Sequence, residues 1–181
     1  MKKILTPVSI IVVSASLLVA SACTKKEAAP ESAPATTAPA APASAAAPAS
    51  KEALDASKAT VSLELATDGD AIAYDKKEFT IKAGEIVKLT FKNNSTSSAM
   101  QHNVVITLPG KESEVDQAGI TSGAENGWIP KDHPSIIAHT KLVDPGQTDT
   151  IVFRAPAAGK YAFLCTYPGH SASMRGMIIV K

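Results

Sequence analysis

From Lys58 to Lys181 large apolar residues recur at every second position, and no other feature restricts the fold as strongly. Val61, Leu63 and Leu65 alternate with Ser62 and Glu64. Val87, Leu89 and Phe91 alternate with Lys88, Thr90 and Lys92. Ile151 and Phe153 repeat the pattern, as do Tyr161, Phe163 and Cys165. Period-two alternation puts one face of a strand in a core and the other in water, as antiparallel sheets require. Turn signals punctuate the runs: Asp68-Gly69-Asp70, Ala83-Gly84, Asn93-Asn94-Ser95, Pro109-Gly110, Asp144-Pro145-Gly146 and Ala158-Gly159. Short strands so spaced predict an all-β sandwich of one domain, since about 124 residues suffice for one core and not for two. The segment from Lys111 to about Ile137 breaks the pattern. Glu112 to Ala118 reads as a short helix there, in a flap outside the sandwich.

Chemistry concentrates in one stretch, Cys165-Thr166-Tyr167-Pro168-Gly169-His170-Ser171-Ala172-Ser173-Met174. Pro168 and Gly169 turn the loop, and within ten residues it offers a thiol, an imidazole and a thioether. Soft sulfur ligands with imidazole select copper, and two His, one Cys and a weak axial Met form a known copper ligand set. The missing imidazole can come from His102, just before the strand-like run Val104-Val105-Ile106. Alone, a histidine before a strand reads as a core or surface residue; the Cys-x4-His-x3-Met loop makes His102 the favoured ligand. His133 reads as exposed and His139 as structural or surface. Met177 reads as packing in the last strand, and Met100 as lining an apolar rim around the site. Glu112, Glu114 and Asp116 read as a solvated helix face near a helix N-terminus rather than a metal cluster.

The first residues place such a site outside the cytoplasm. Lys2 and Lys3 precede an apolar run from Ile4 to Val19, and Ala20-Ser21-Ala22 lead into Cys23. This is the layout of a cleaved lipoprotein signal over residues 1–22, with Cys23 as the lipid-bearing terminus. The run only approaches the roughly 18 apolar residues that a membrane span needs. The chain has two cysteines, so lipidation of Cys23 leaves Cys165 as the lone thiol of an exported domain, to be reactive or bound. Of residues 24–57, 14 of 34 are Ala, with Pro30, Pro34, Pro39, Pro42 and Pro48 interrupting any helix. Residues 23–57 therefore read as the anchor and a disordered tether, reaching at most about 100 Å at roughly 3.1 Å per residue. Residues 58–181 are the folded domain. The net charge is +1, and no basic stripe calls for nucleic acid.

The loop from Cys165 to Met174, the segment Gln101-His102-Asn103 and the stretch Ile137-Ala138-His139-Thr140-Lys141-Leu142 resemble the azurin-like cupredoxins. Lipid-anchored azurins with Ala/Pro-rich leaders, and the related auracyanins, look similar in layout. The resemblance implies a Greek-key β-sandwich with one copper at one end. It implies His102, Cys165 and His170 as strong ligands, Met174 as the weak axial one, and Asn103 hydrogen-bonding near the sulfur. Where azurins place a Gly carbonyl at the other axial position, this chain has Gln101. The family's disulfide is absent, which for a small exported domain is typically worth ~2–5 kcal/mol.

These readings converge on a one-electron carrier rather than an enzyme, since no general base, nucleophile or open metal position is evident. The electron is expected to pass at the edge of His170, within a patch of Met100, Tyr167, Pro168, Gly169 and Ala172 suited to transient docking. The expected partners are redox proteins such as c-type cytochromes or terminal oxidoreductases, with the membrane reached through lipid on Cys23. A copper-handling or storage protein would favour Met-rich or His-rich tracts, and a bare interaction module would favour loss of a ligand. The sequence has neither mark.

Overall fold

The structure, a computed structural model, describes residues 54–181. The signal segment, Cys23 and residues 23–53 of the tether lie outside the described residues. Asp55 opens the described chain by accepting a hydrogen bond from Ser57 N at 2.9 Å, which caps a single 3-10 turn at Ala56–Lys58.

Eight strands follow, with one helix. They are β1 (Val61–Ala66), β2 (Glu78–Ile81), β3 (Ile86–Lys92), β4 (Val105–Thr107), α1 (Glu112–Ser122), β5 (Ile136–His139), β6 (Thr148–Arg154), β7 (Gly159–Leu164) and β8 (Arg175–Val180). Two sheets form, one ordered β1-β3-β6 and the other β2-β8-β7-β4-β5. In β3 the alternation does what it promised: Val87, Leu89 and Phe91 are buried, with less buried residues between them. The facing layers meet in a core of Leu65, Tyr74, Val87, Leu89, Phe91, Phe153, Phe163 and Ile178, which Cys165 and Met174 join at one end. Tyr74 packs edge-on to Phe91 and tilted against Phe163.

Two features depart from the expected all-antiparallel sheets. β1 pairs with β3, and β2 with β8, in parallel. The chain leaves β1 for the opposite sheet, forms β2 there and returns as β3, so each layer acquires a parallel neighbour by crossover. Alternation reports which face is buried and says nothing of strand direction. β2 and β5 are short strands that carried no alternation signal of their own, and β5 takes residues assigned to the flap.

The flap is α1 and the 3-10 turn at Ala124–Asn126 behind it. Glu112 and Glu114 lie in the first turn, where negative charge complements the helix dipole. Gly123, at φ 77°, ends the helix. Val115 and Ile129 of this region pack with Val105 and Ile136 in a second cluster, separate from the main core. Val104 and Ile106 belong to the main core, so Val105 faces the other side of its strand and the flap covers that side. This covering explains why β7 is buried on both faces from Tyr161 to Leu164. Among the described residues no helix is long and apolar enough to cross a membrane.

Candidate metal centre

His102 sits at the edge of the second sheet, before β4. Its backbone exchanges two hydrogen bonds with Val143, His102 N to Val143 O at 3.2 Å and Val143 N to His102 O at 2.7 Å. The amide of buried Asn93 steadies this crossing by donating to Met100 O at 2.7 Å and Val143 O at 3.0 Å. Tyr74, buried among the core aromatics, donates its hydroxyl to Asn103 O at 2.6 Å. Cys165 follows the last residue of β7, and Met174 precedes the first of β8. Cys165 N donates to Met174 O at 3.0 Å, closing the base of the loop. Within it, His170 N donates to Tyr167 O at 3.0 Å and Met174 N to His170 O at 2.9 Å. Gly169 takes φ 82°, which a side chain would resist, and so allows the turn that presents His170.

The three expected strong ligands meet. Their ligand atoms lie within 4.8 Å of one another, all on buried residues. Cys165 Sγ is 3.9 Å from His102 Nδ1 and 3.7 Å from His170 Nδ1. The two imidazoles face one another with centroids 4.9 Å apart. Burial, and then the neighbouring His170, pulls His102 down to about 4, and burial also lowers His170. Both rings are therefore neutral at neutral pH, each with a lone pair to offer a metal. Burial pushes the Cys165 thiol up to about 11, against backbone N–H groups of Asn103 and Tyr167 that favour the thiolate. Two neutral imidazoles and a desolvated thiol are a poor match for hard, oxygen-seeking cations and a good one for copper. The other ring nitrogen of His102, Nε2, is a buried atom with no hydrogen-bond partner among the described residues. Such an orphan costs about 1–3 kcal/mol, which a ligand bond at Nδ1 would help to offset.

The other predicted residues fall as follows. Met174 is fully buried and shares the core cluster with Cys165. Gln101 is half-buried, and its amide donates to Asp144 Oδ1 at 2.6 Å. Asn103 is fully buried beside the thiol: its Oδ1 accepts from Thr166 N at 2.9 Å, and its Nδ2 donates to Thr166 Oγ1 at 3.0 Å and Gly127 O at 3.1 Å. Its amide thus fixes the residue after Cys165, while its own backbone N–H serves the sulfur. Met100, Tyr167 and Pro168 are half-buried, and Gly169 and Ala172 are exposed. Tyr167 stacks on His170 with centroids 4.7 Å apart and meets Trp128 edge-on at 5.9 Å. His139 is exposed at the end of β5.

Two sequence readings need correction. His133 is half-buried rather than exposed, because Ser135 N donates to its Nδ1 and Glu114 lies 3.7 Å from its Nε2. Nor are the acidic residues of α1 all a solvated face. Glu114 is exposed, held by Lys111 and Ser135, and the bond from Lys111 leads in lowering its pKa. Asp116 turns towards the ligand loop, where its Oδ2 accepts from Ser171 Oγ at 2.8 Å.

Sequence reasoning passed over Tyr74, Asn93 and Gly119. A Cβ on Gly119 would lie 2.6 Å from Trp128 O and 3.0 Å from Thr166 Cβ, so the helix approaches the site at the one residue without a side chain. Its signal was a glycine inside a helical segment, where glycine is unfavourable unless something must come close.

Comparison with known proteins agrees with this geometry. Auracyanin-A of Chloroflexus aurantiacus is 37% identical over 123 residues, spanning 67% of this chain and 75% of that protein. Azurin-1 of Alcaligenes xylosoxydans xylosoxydans is 33% identical over 126 residues, 66% of this chain and 97% of its own length. The crystal structure of dithionite-reduced auracyanin from Roseiflexus castenholzii superposes with a TM-score of 0.63 at 46% identity. It covers 68% of this chain and 98% of that one. Residues 60–181 match the copper-binding proteins of the plastocyanin/azurin family, and the chain belongs to that family.

Proposed function

We propose that His102, Cys165 and His170 hold one copper ion, with Met174 as the weak fourth ligand, and that the chain is a type 1 copper electron-transfer protein. The observation that carries this reading is the convergence of two neutral imidazoles and one buried thiol within 4.8 Å. Bound there, copper supplies a one-electron couple between Cu(II) and Cu(I). The chain's residues hold the ligands still and keep water out: His102, Cys165 and Met174 are completely buried. His170 is 7% exposed, the only one of the four to reach the surface, so its ring edge is the contact offered to a partner. Met100, Tyr167, Pro168, Gly169 and Ala172 form the weakly charged rim on which a redox protein docks briefly. The Gln101 carbonyl is available as a fifth, weak donor.

The remaining parts of the reading rest on sequence. Residues 1–22 act as a lipoprotein signal, Cys23 carries the lipid, and residues 23–57 tether the domain of residues 58–181 to a membrane facing the periplasm or cell exterior. From there it shuttles electrons between partners such as c-type cytochromes and terminal oxidoreductases, and performs no catalysis of its own. The test is the visible spectrum after addition of Cu(II), beside a Cys165→Ser variant. An intense red-region band that one reducing equivalent bleaches, absent in the variant, is the expected result. A weak spectrum indifferent to Cys165 would overturn the assignment.

A further inference from the structure

The residue after His170 is held by the flap. Ser171 Oγ donates to Asp116 Oδ2 at 2.8 Å across a sequence gap of 55 residues. The other oxygen, Asp116 Oδ1, is shielded from solvent and has no hydrogen-bond partner among the described residues. A carboxylate with one oxygen bonded and the other dry is weakly solvated, and its charge is poorly screened from its surroundings. The same flap grips the far end of the loop, where Thr166 Oγ1 donates to Trp128 O at 2.6 Å and Asn103 Nδ2 to Gly127 O at 3.1 Å. The loop is thus clamped by one stretch of chain, from Asp116 in α1 to Trp128 beyond the 3-10 turn, just after Cys165 and just after His170. Asp116 is the member of that clamp that brings a charge, and its field is felt at the thiol, which it helps to raise.

We infer that Asp116 is a positioning residue for the copper loop whose carboxylate also favours Cu(II) over Cu(I) and so lowers the reduction potential. The inference rests on copper occupying the site proposed above. Negative charge near a metal stabilises the higher oxidation state, and in a dry setting one charge is felt strongly over several ångströms. A hydrogen bond to a neutral group would brace the loop equally well. The carboxylate adds a bias that bracing does not need, and its second oxygen has no partner among the described residues.

Two substitutions in the full-length, copper-loaded chain separate charge from bracing. Asp116→Asn keeps the shape and an acceptor for Ser171 while removing the charge. Ser171→Ala keeps the charge and removes the bond. For Asp116→Asn the ratio of Cu(I) to Cu(II) affinity is expected to rise about three- to tenfold, read as a midpoint potential about 30–60 mV higher at 59 mV per tenfold. Ser171→Ala should shift the potential less, and should speed amide exchange of residues 170–173 in the copper-free chain. A potential for Asp116→Asn within twofold of the parent ratio, with the red band intact, would overturn the role of the charge. Unchanged exchange in both variants would overturn the clamp. If the parent chain itself shows no red band, the copper assignment fails, and the exchange measurement still decides the clamp.

Discussion

At Cys165 a metal must compete with a proton. The thiol is pushed to about 11 while His102 and His170 are lowered, so near neutral pH only the thiol has a proton to lose. Copper binding at about pH 7 should release about one proton per site, and affinity should weaken about tenfold per unit as pH falls through the neutral range. A dye titration in weak buffer measures both. The same shifts govern the copper-free fold. His102 drops from 6.5 to about 4, so the unfolded chain binds more protons between those values; stability is full above 6.5 and falls as pH falls towards 4. Cys165 rises from 9.0 to about 11, so the folded chain binds more protons there; stability falls as pH rises through that window. Urea midpoints should therefore peak between the two windows. Tyr74→Phe should cost about 1–2 kcal/mol in the same assay, because Asn103 O loses a buried 2.6 Å donor. Cys165, His170 and Met174 were legible because they lie within ten residues of sequence, and His102 because the loop called for a second imidazole. Tyr74 and Asn93 were not, since an aromatic and an amide in turn-rich segments acquire their roles only when distant strands bring backbone carbonyls to them.

Among the elements, α1 departs furthest from its expected part. Expected as a flap beyond the sandwich, it also seats the ligand loop through Gly119 and Asp116, while the chain that follows it holds Asn103 and Thr166 through the backbone at Gly127 and Trp128. Gly→Ala inside a helix ordinarily gains about 0.5–1 kcal/mol. Gly119→Ala should instead destabilise, by about 1–3 kcal/mol, since the new methyl meets Trp128 O at 2.6 Å and neither backbone yields easily. Thermal unfolding of the copper-free variant measures this, and a rise in stability would show that the helix does not press on Thr166. The hydrophobic pattern could not reveal this seating, because Asp116 and Gly119 are not apolar and their contacts lie 55 and 47 residues away in sequence. Strand direction was hidden for a related reason. Alternation marks the buried face of β1 and β3, whereas their parallel pairing follows from the excursion to β2 in the other sheet.

As a whole the described chain is a sandwich that holds three ligands in place at one end of its core, and it does so with no disulfide among the described residues, as the sequence led us to expect. Cys165 is the sole cysteine among the described residues, so stability rests on packing and on the hydrogen bonds knitted by Asn93, Asn103 and Thr166. Copper binding only the folded form should add about 2.7 kcal/mol at a hundredfold excess over its dissociation constant, seen as a higher melting temperature that a chelator reverses. The central claim is that His102, Cys165 and His170 converge on one copper ion at the end of the sandwich. A pair of crystal structures, copper-free and copper-loaded, with anomalous scattering recorded at the copper edge, tests it most directly. The account predicts one copper peak bounded by His102 Nδ1, Cys165 Sγ and His170 Nδ1, with those atoms displaced by no more than about 0.5 Å between the two forms. A peak elsewhere, or a loop from Cys165 to Met174 that rebuilds on loading, would contradict it.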